Sequence, residues 1–341
     1  MPSEVSEISA QLEALVREKT GDPGARCGSL LALPGHAGQS YSFELDWRAP
    51  DGPSHEKLVL RLAPAGVRIS GPADVARQGR IMASLADAAV PVPPVRWLDD
   101  GPRPFGRPYF VVRFVEGQKL YEMQATPEQA RAMVSSVIDA LVALHAVDWQ
   151  SRRAAWGDPV ALVEEMKRLD HLLERETLDP AVVSRAPELR ERLRSSLPEK
   201  PRVGCVHGDF QWSNLILQDA RLAAAIDWEI SMVSATLLDL GWICLFSDPD
   251  SWTQRRLAFP NLPSPDELVA LYTERAHFAV EMKQVRWFQA FSAYRFGVIT
   301  VFNLMLHRRG KRQDPVWEEM GKMAPRLFDR GLELLDQGAA S

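Results

Sequence analysis

The chain has 341 residues, of which 46% are hydrophobic and 25% charged, with 21 glycines and 25 prolines. That length fits two lobes or one large domain in two parts, and an apolar share of this size excludes disordered, collagen-like and repeat architectures. Forty basic side chains against 45 acidic ones leave a net charge of −5, which argues against a nucleic-acid reader because such proteins carry a basic excess.

The first segment places Ile8, Leu12, Leu15 and Val16 at helical spacing. Acids stand there where a signal peptide would carry bases. The period then changes to two: Tyr41–Trp47 alternates apolar and polar residues, as a half-buried strand does. Pro50-Asp51-Gly52-Pro53 reads as a turn, and a second strand, Lys57–Ala63, follows with Leu58, Leu60 and Leu62 on one face and Lys57, Val59 and Arg61 on the other. Between Pro72 and Ala88 a helix is expected, with Val75, Gln78, Met82 and Leu85 on its inward stripe. A proline-rich connection, Val90–Pro94, leads to a third strand over Tyr109–Val115.

Beyond Glu116 the pattern is mostly helical, with apolar stripes through 134–144 and helix-prone stretches over 160–195, 264–276, 283–308 and 315–336. The apolar stretch Phe296–Leu306 is 11 residues long and interrupted by Thr300 and Asn303, against the ~20 that a membrane span needs. The cysteines, Cys27, Cys205 and Cys244, are too few and too scattered for a disulfide framework or a four-thiolate zinc site. These readings give the expectation of a cytoplasmic monomer or homodimer with neither membrane nor nucleic acid as partner.

One region, 203–230, breaks the helical pattern with short apolar runs between polar clusters, and bound chemistry is expected in such a strand-and-loop island. It reads Val206-His207-Gly208-Asp209-Phe210-Gln211-Trp212-Ser213-Asn214, with Asp227-Trp228-Glu229 following. An Asp, an Asn five positions on and a second Asp after a short hairpin are the residue types that phosphoryl transfer from Mg-ATP requires. Asp209 can accept the proton of an attacking hydroxyl, while the Asn214 amide oxygen and the Asp227 carboxylate are hard ligands suited to Mg²⁺. A Cys205/His207/Asp209 metal cluster would lack a fourth ligand.

This HGDFxxxN…DWE pattern resembles the aminoglycoside phosphotransferase / choline kinase superfamily, nearest to its broad bacterial branch related to kinase-like domains fused to acyl-CoA dehydrogenases. The resemblance implies an α+β, protein-kinase-like two-lobe fold with a small N-terminal antiparallel sheet plus helix and a large, mainly helical C-terminal lobe. The lobes would divide into 1–115, binding nucleotide, and 116–341, holding a catalytic loop at 206–214, a metal-binding segment at 226–229 and the acceptor region. It further implies ATP or GTP with Mg as cofactors. Gly35–Ser40 matches the loop over the phosphates, with Gly38, Gln39 and Ser40 nearest to them. Val112–Val115 matches the hinge, giving Arg113, Phe114 and Val115 as the backbone that receives adenine. Asp209 takes the place of the catalytic Asp, Asn214 and Asp227 those of the Mg ligands, and Asp239 that of an Asp bracing the catalytic loop. His207 and Glu229 fall to a supporting role, and Trp212 is the candidate to line the acceptor side.

Two positions depart from the pattern. Arg61 stands where kinases place a phosphate-gripping Lys, and a guanidinium can hold phosphate oxygens in a fork. Gln78 stands where the Glu partner usually lies; its amide oxygen accepts a hydrogen bond but supplies no negative charge. The expected activity is therefore transfer of the γ-phosphoryl group of ATP to a hydroxylated small molecule, with a nucleotide-binding pseudokinase as the alternative. An aminoglycoside antibiotic kinase is disfavoured, because residues 160–200 carry nine acids against eight bases and a polycation is held best in an acid-lined cleft. The basic run His307–Arg312 reads as a helix end complementing its dipole, with an anion-attracting rim as the other reading.

Overall fold

A computed structural model describes all residues except 1–3, 34–38, 66–70, 72–73, 124, 175–178, 254–261, 312 and 341. Helix α1 (Glu4–Thr20) buries the four apolar residues expected of it. A six-stranded sheet follows: β1 (Arg26–Cys27), β2 (Leu31–Ala32), β3 (Gln39–Ala49), β4 (Gly52–Leu62), β5 (Val95–Asp99) and β6 (Tyr109–Arg113), with α2 (Val75–Ser84) between β4 and β5. All pairings are antiparallel, in the order β1-β3-β4-β6-β5, with β2 also on β3.

The β3–β4 hairpin is longer than the alternation predicted, running from Gln39 opposite Leu62 to Ala49 opposite Gly52. The two-residue period decides what each face does. Phe43, Leu45, Leu58, Leu60, Leu62, Tyr109 and Val111 pack against α1, and each fully buried side chain contributes roughly 1.5–3 kcal/mol relative to exposure. Val59, Phe110 and Val112 face the other way, where they join Val75, Ile81, Met82 and Leu85 in the large core. Arg61 lies two residues beyond Val59 on β4, opposite Phe110, so the pleat points it into the space between sheet, α2 and the helical region.

The remainder holds α3 (Pro127–Ala146), α4 (Arg153–Trp156), α5 (Leu162–Leu173), α6 (Ala186–Ser195), α7 (Leu237–Ser247), α8 (Pro265–Arg275), α9 (Met282–Arg308), α10 (Val316–Gly321) and α11 (Ala324–Ala340). The helical stretches expected over 160–195 and 315–336 are each two helices. Among the described residues no helix is long and apolar enough to cross a membrane. Of the basic run, His307 and Arg308 end α9, where Arg308 makes two 2.8 Å bonds to Glu318, and Arg312 lies outside the described residues.

Within this region β7 (Val203–Val206) pairs with β10 (Met232–Ala235), and β8 (Leu215–Gln218) with β9 (Arg221–Ala225). These two small ladders hold the loops 207–214 and 226–231 side by side, stitched by the Ile226 N–H donating to Asn214 O at 2.9 Å. Ala225 N–H donates to Pro91 O, which ties β9 to the connection between α2 and β5.

Candidate active site

The Asp209 carboxylate accepts three hydrogen bonds. Its Oδ2 takes Asn214 Nδ2 at 2.7 Å, and its Oδ1 takes Trp242 Nε1 at 2.7 Å and Gln211 Nε2 at 3.1 Å. Asn214 Nδ2 also donates to Asp209 O at 3.0 Å. With its amide nitrogen committed to Asp209, Asn214 presents its Oδ1 on the opposite side of the planar amide. Asp227 begins the neighbouring turn in a left-handed conformation, φ 69° and ψ 60°, an uncommon geometry for a residue other than glycine and one found at functional turns.

Below this pair the loop rests on buried charge. Asp239 is fully buried; its Oδ2 accepts the His207 N–H at 2.7 Å and its Oδ1 the Gly208 N–H at 2.8 Å. Gly208 has φ +84°, and a Cβ there would lie 2.6 Å from Ile230 O, so only glycine fits. His145, also fully buried, lies 2.6 Å from Tyr272 Oη and 3.4 Å from Asp239 Oδ2. The His207 ring accepts the Asp209 N–H at Nδ1 (3.2 Å), and its Nε2 lies 3.0 Å from Ile226 O. A donor on one side and an acceptor on the other select the tautomer protonated at Nε2, and the ring thereby spans the two loops.

On the sheet side Arg61 donates to Ser40 Oγ at 3.0 Å and approaches Glu229 Oε2 at 3.4 Å. The carboxylate that meets Arg61 thus comes from the 226–229 segment, whereas α2 contributes the buried, uncharged Gln78. Arg77, the neighbour of Gln78, donates to Ser231 O at 2.6 Å, and Ser231 Oγ donates to His207 O at 3.0 Å. These bonds connect α2 to the 207–214 loop through one serine. Burial pulls Arg77 below the usual guanidinium value, with Asp74 opposing the shift.

Several expectations are corrected. Trp212 is 2% exposed and donates to Ser247 Oγ at 2.9 Å, so it belongs to the core and lines no open acceptor side. Arg113 N–H donates to Pro94 O and Phe114 N–H to Lys57 O, both at 2.9 Å, so neither amide is available to adenine. Of the three residues expected at the hinge, Val115 is the one whose amide has no backbone acceptor among the described residues. Arg113's side chain is instead a surface group paired with Glu56 at 2.9 Å. Gly38 lies outside the described residues, whereas Gln39 pairs opposite Leu62 and Ser40 opposite Arg61. Cys205 is buried in β7 behind the loop, where desolvation pushes its thiol up to about 12.

Trp242 and Arg295 are site residues that sequence reasoning missed. Arg295 carried a usable signal: it stands between Tyr294 and Phe296 on the buried face of α9, and a buried Arg is almost always partnered.

The sequence profile described as the phosphotransferase enzyme family matches residues 42–287. Acyl-CoA dehydrogenase family member 10 of Mus musculus is 28% identical over 199 residues, which are 55% of this chain and 18% of that protein. The chain spans less than two fifths of the length of the curated relatives it matches. Among solved structures, a Ralstonia eutropha protein assigned by resemblance to the aminoglycoside phosphotransferases aligns with TM-score 0.76 at 20% identity, covering 96% of this chain and 98% of its own. The aminoglycoside phosphotransferase APH(4)-Ia, in ternary complex with ADP and hygromycin B, aligns with TM-score 0.63 at 16% identity, covering 95% of this chain and 98% of its own. Sheet region and helical region together therefore form the kinase-like fold that the motifs implied.

Proposed function

The chain belongs to the phosphotransferase enzyme family, and from that premise we propose that it moves the γ-phosphoryl group of ATP to a hydroxyl of a small molecule. The observation that carries this reading is the Asp209–Asn214 bond of 2.7 Å beside the Asp227 turn, joined to it through Ile226 N–H and Asn214 O at 2.9 Å. In the transfer the acceptor oxygen bonds to the γ-phosphorus, the bond to the β–γ bridging oxygen breaks, and ADP leaves with that electron pair. The hydroxyl proton passes to Asp209 and then to solvent.

The donor set suits magnesium: the Asn214 amide oxygen, on the side away from the Asp209-bound nitrogen, and the Asp227 carboxylate are hard ligands, and such sites complete their coordination with phosphate oxygens and water. Bound there, the ion would neutralise charge on the phosphates. In this reading Arg61 holds phosphate oxygens through a guanidinium fork, and the Val115 amide is the hinge donor left for adenine. GTP is the alternative nucleotide.

The helical wall behind the base is aromatic. Trp242, Phe246, Trp252 and Phe296 form one cluster with ring centroids 5.2–5.8 Å apart. Trp242 and Trp252 are buried in that cluster, so it backs the base, and the preference for an acceptor other than a polycation rests on the near-even charge of residues 160–200. A nucleotide-binding protein with little turnover is the second reading, favoured by the uncharged Gln78 on α2 and by a carboxylate partner for Arg61 that lies in the metal segment itself.

Following the γ-phosphate of Mg-ATP by ³¹P NMR against a panel of hydroxylated compounds tests both. Transfer by the wild type that is lost in Asp209→Asn supports the kinase. Tight ATP binding with no transfer or hydrolysis supports the second reading, and transfer unchanged in Asp209→Asn removes Asp209 from the chemistry.

A further inference from the structure

Resting on the reading of Asp209 as base, we propose that Trp242, held by Arg295, is a positioning residue that fixes the Asp209 carboxylate and leaves Oδ2 as the oxygen that takes the acceptor's proton. An ionised carboxylate has about four lone-pair sites, two on each oxygen. Trp242 and Gln211 occupy both sites of Oδ1, whereas among the described residues Asn214 alone donates to Oδ2. One lone pair on Oδ2 therefore remains for the incoming hydroxyl.

The indole is a rigid donor. Trp242 is 3% exposed, with Phe246 and Phe296 packed edge-on at 5.5 and 5.7 Å between centroids. The Arg295 guanidinium lies over its ring at 4.4 Å, a stacking geometry in which cation and ring attract. Arg295 Nη1 also donates to Gly208 O at 2.9 Å. It thus grips the backbone just before the base and the ring that bonds the base's side chain. Gly241 makes this possible: a Cβ there would lie 2.5 Å from Phe288 O, so a side chain would push α7 off α9 and carry Trp242 away from Asp209.

The reaction measured is Mg-dependent ATP hydrolysis, with water as acceptor, in wild type, Trp242→Phe, Asp209→Ala and the double variant. Trp242→Phe keeps an aromatic face for Arg295 and removes the N–H with the pyrrole ring that carries it. It should lower kcat about tenfold, with KM for ATP unchanged, as expected when a reacting group is misplaced by a fraction of an ångström. In the Asp209→Ala background the same substitution should have no further effect, because residues acting as one unit are not additive. Equal losses in both backgrounds, or no loss in the single variant, would overturn the proposal. No loss in Asp209→Ala itself would instead overturn the reading of Asp209 as base.

A second measurement needs neither turnover nor a folded Trp242→Phe. The Trp242 indole ¹H–¹⁵N resonance of the wild type should shift upfield and exchange faster in Asp209→Ala. It should also move in Arg295→Lys, which keeps a cation but loses the flat face. An indole resonance identical in all three proteins would contradict the contact on which the proposal stands.

Discussion

The two sides of the candidate site are held by different physics. On the helical side, the 207–214 loop hangs from groups withdrawn from water: Asp239 and His145 fully buried, His207 at 0%, Arg295 at 2% and Trp242 at 3% exposure. On the sheet side, the Arg61–Glu229 pair is 14% and 22% exposed at 3.4 Å, and its companion is the Ser40 hydroxyl. Hydrogen bonds to buried charge contribute more than exposed pairs, and leaving one unmade costs more still. The proposed base is therefore built to stay in place, while the proposed phosphate grip is built to be rearranged by a ligand.

The largest effect should be chemical. Asp209→Asn keeps the shape of the side chain and removes the base, so turnover should fall about 10²–10⁴-fold, measured as phosphate release, with ATP affinity by calorimetry little changed. Next in size is stability. Asp239→Ala leaves the N–H groups of His207 and Gly208 without their acceptor and should cost about 3 kcal/mol in urea denaturation. If that variant unfolds no earlier than the wild type, the contrast between a fixed and a yielding side of the site is lost.

A smaller effect is expected across the cleft. Glu229→Gln removes one partly exposed partner of Arg61, so stability should change by about 1 kcal/mol or less, while ATP affinity shifts severalfold. A stability loss as large as that of Asp239→Ala would erase the distinction.

The smallest effect sharpens the picture of the helical side. Burial pushes the Cys244 thiol up from 9.0 to about 12. A folded value above the unfolded one means its contribution is full below pH 9 and is lost as the pH rises toward 12. Denaturation curves should therefore weaken from about pH 9 upward, less steeply in Cys244→Ala. Iodoacetamide should label Cys205 and Cys244 at pH 8 only on unfolding, because the thiolate is the reactive form.

What could be read from the sequence was what lies close along the chain. His207 through Asn214 and the Asp227 turn form a compact motif, so their residue types pointed directly to the chemistry proposed for them. The strand alternation located the hairpin and put Arg61 on the inner face. The ladder then continued past the alternating residues on both strands, because backbone pairing from Gln39 to Ala49 does not require strict alternation at an exposed sheet end. β5 was missed because a register shift between Val95 and Trp97 breaks its period. β1 and β2, at two residues each, carry no period at all.

The site residues that escaped notice share one property: distance along the chain. Trp242 lies 33 residues from Asp209, and Arg295 lies 87 from Gly208. Neither pairing leaves a spacing that local periodicity can detect. Trp212 failed for the opposite reason, since proximity to Asp209 in sequence did not prevent its ring from turning into the core. Glu229 was legible as part of the Asp-Trp-Glu segment, but its meeting with Arg61 needed the sheet and the loop to be brought together.

The central claim is that Asp209, held by the buried side of the site, is the base of phosphoryl transfer. Single-turnover loss of the γ-phosphate from bound Mg-ATP, compared between wild type and Asp209→Asn at equal nucleotide occupancy, tests it most directly. The account predicts a rate lower by at least about a hundredfold in the variant; equal rates at equal occupancy would contradict it.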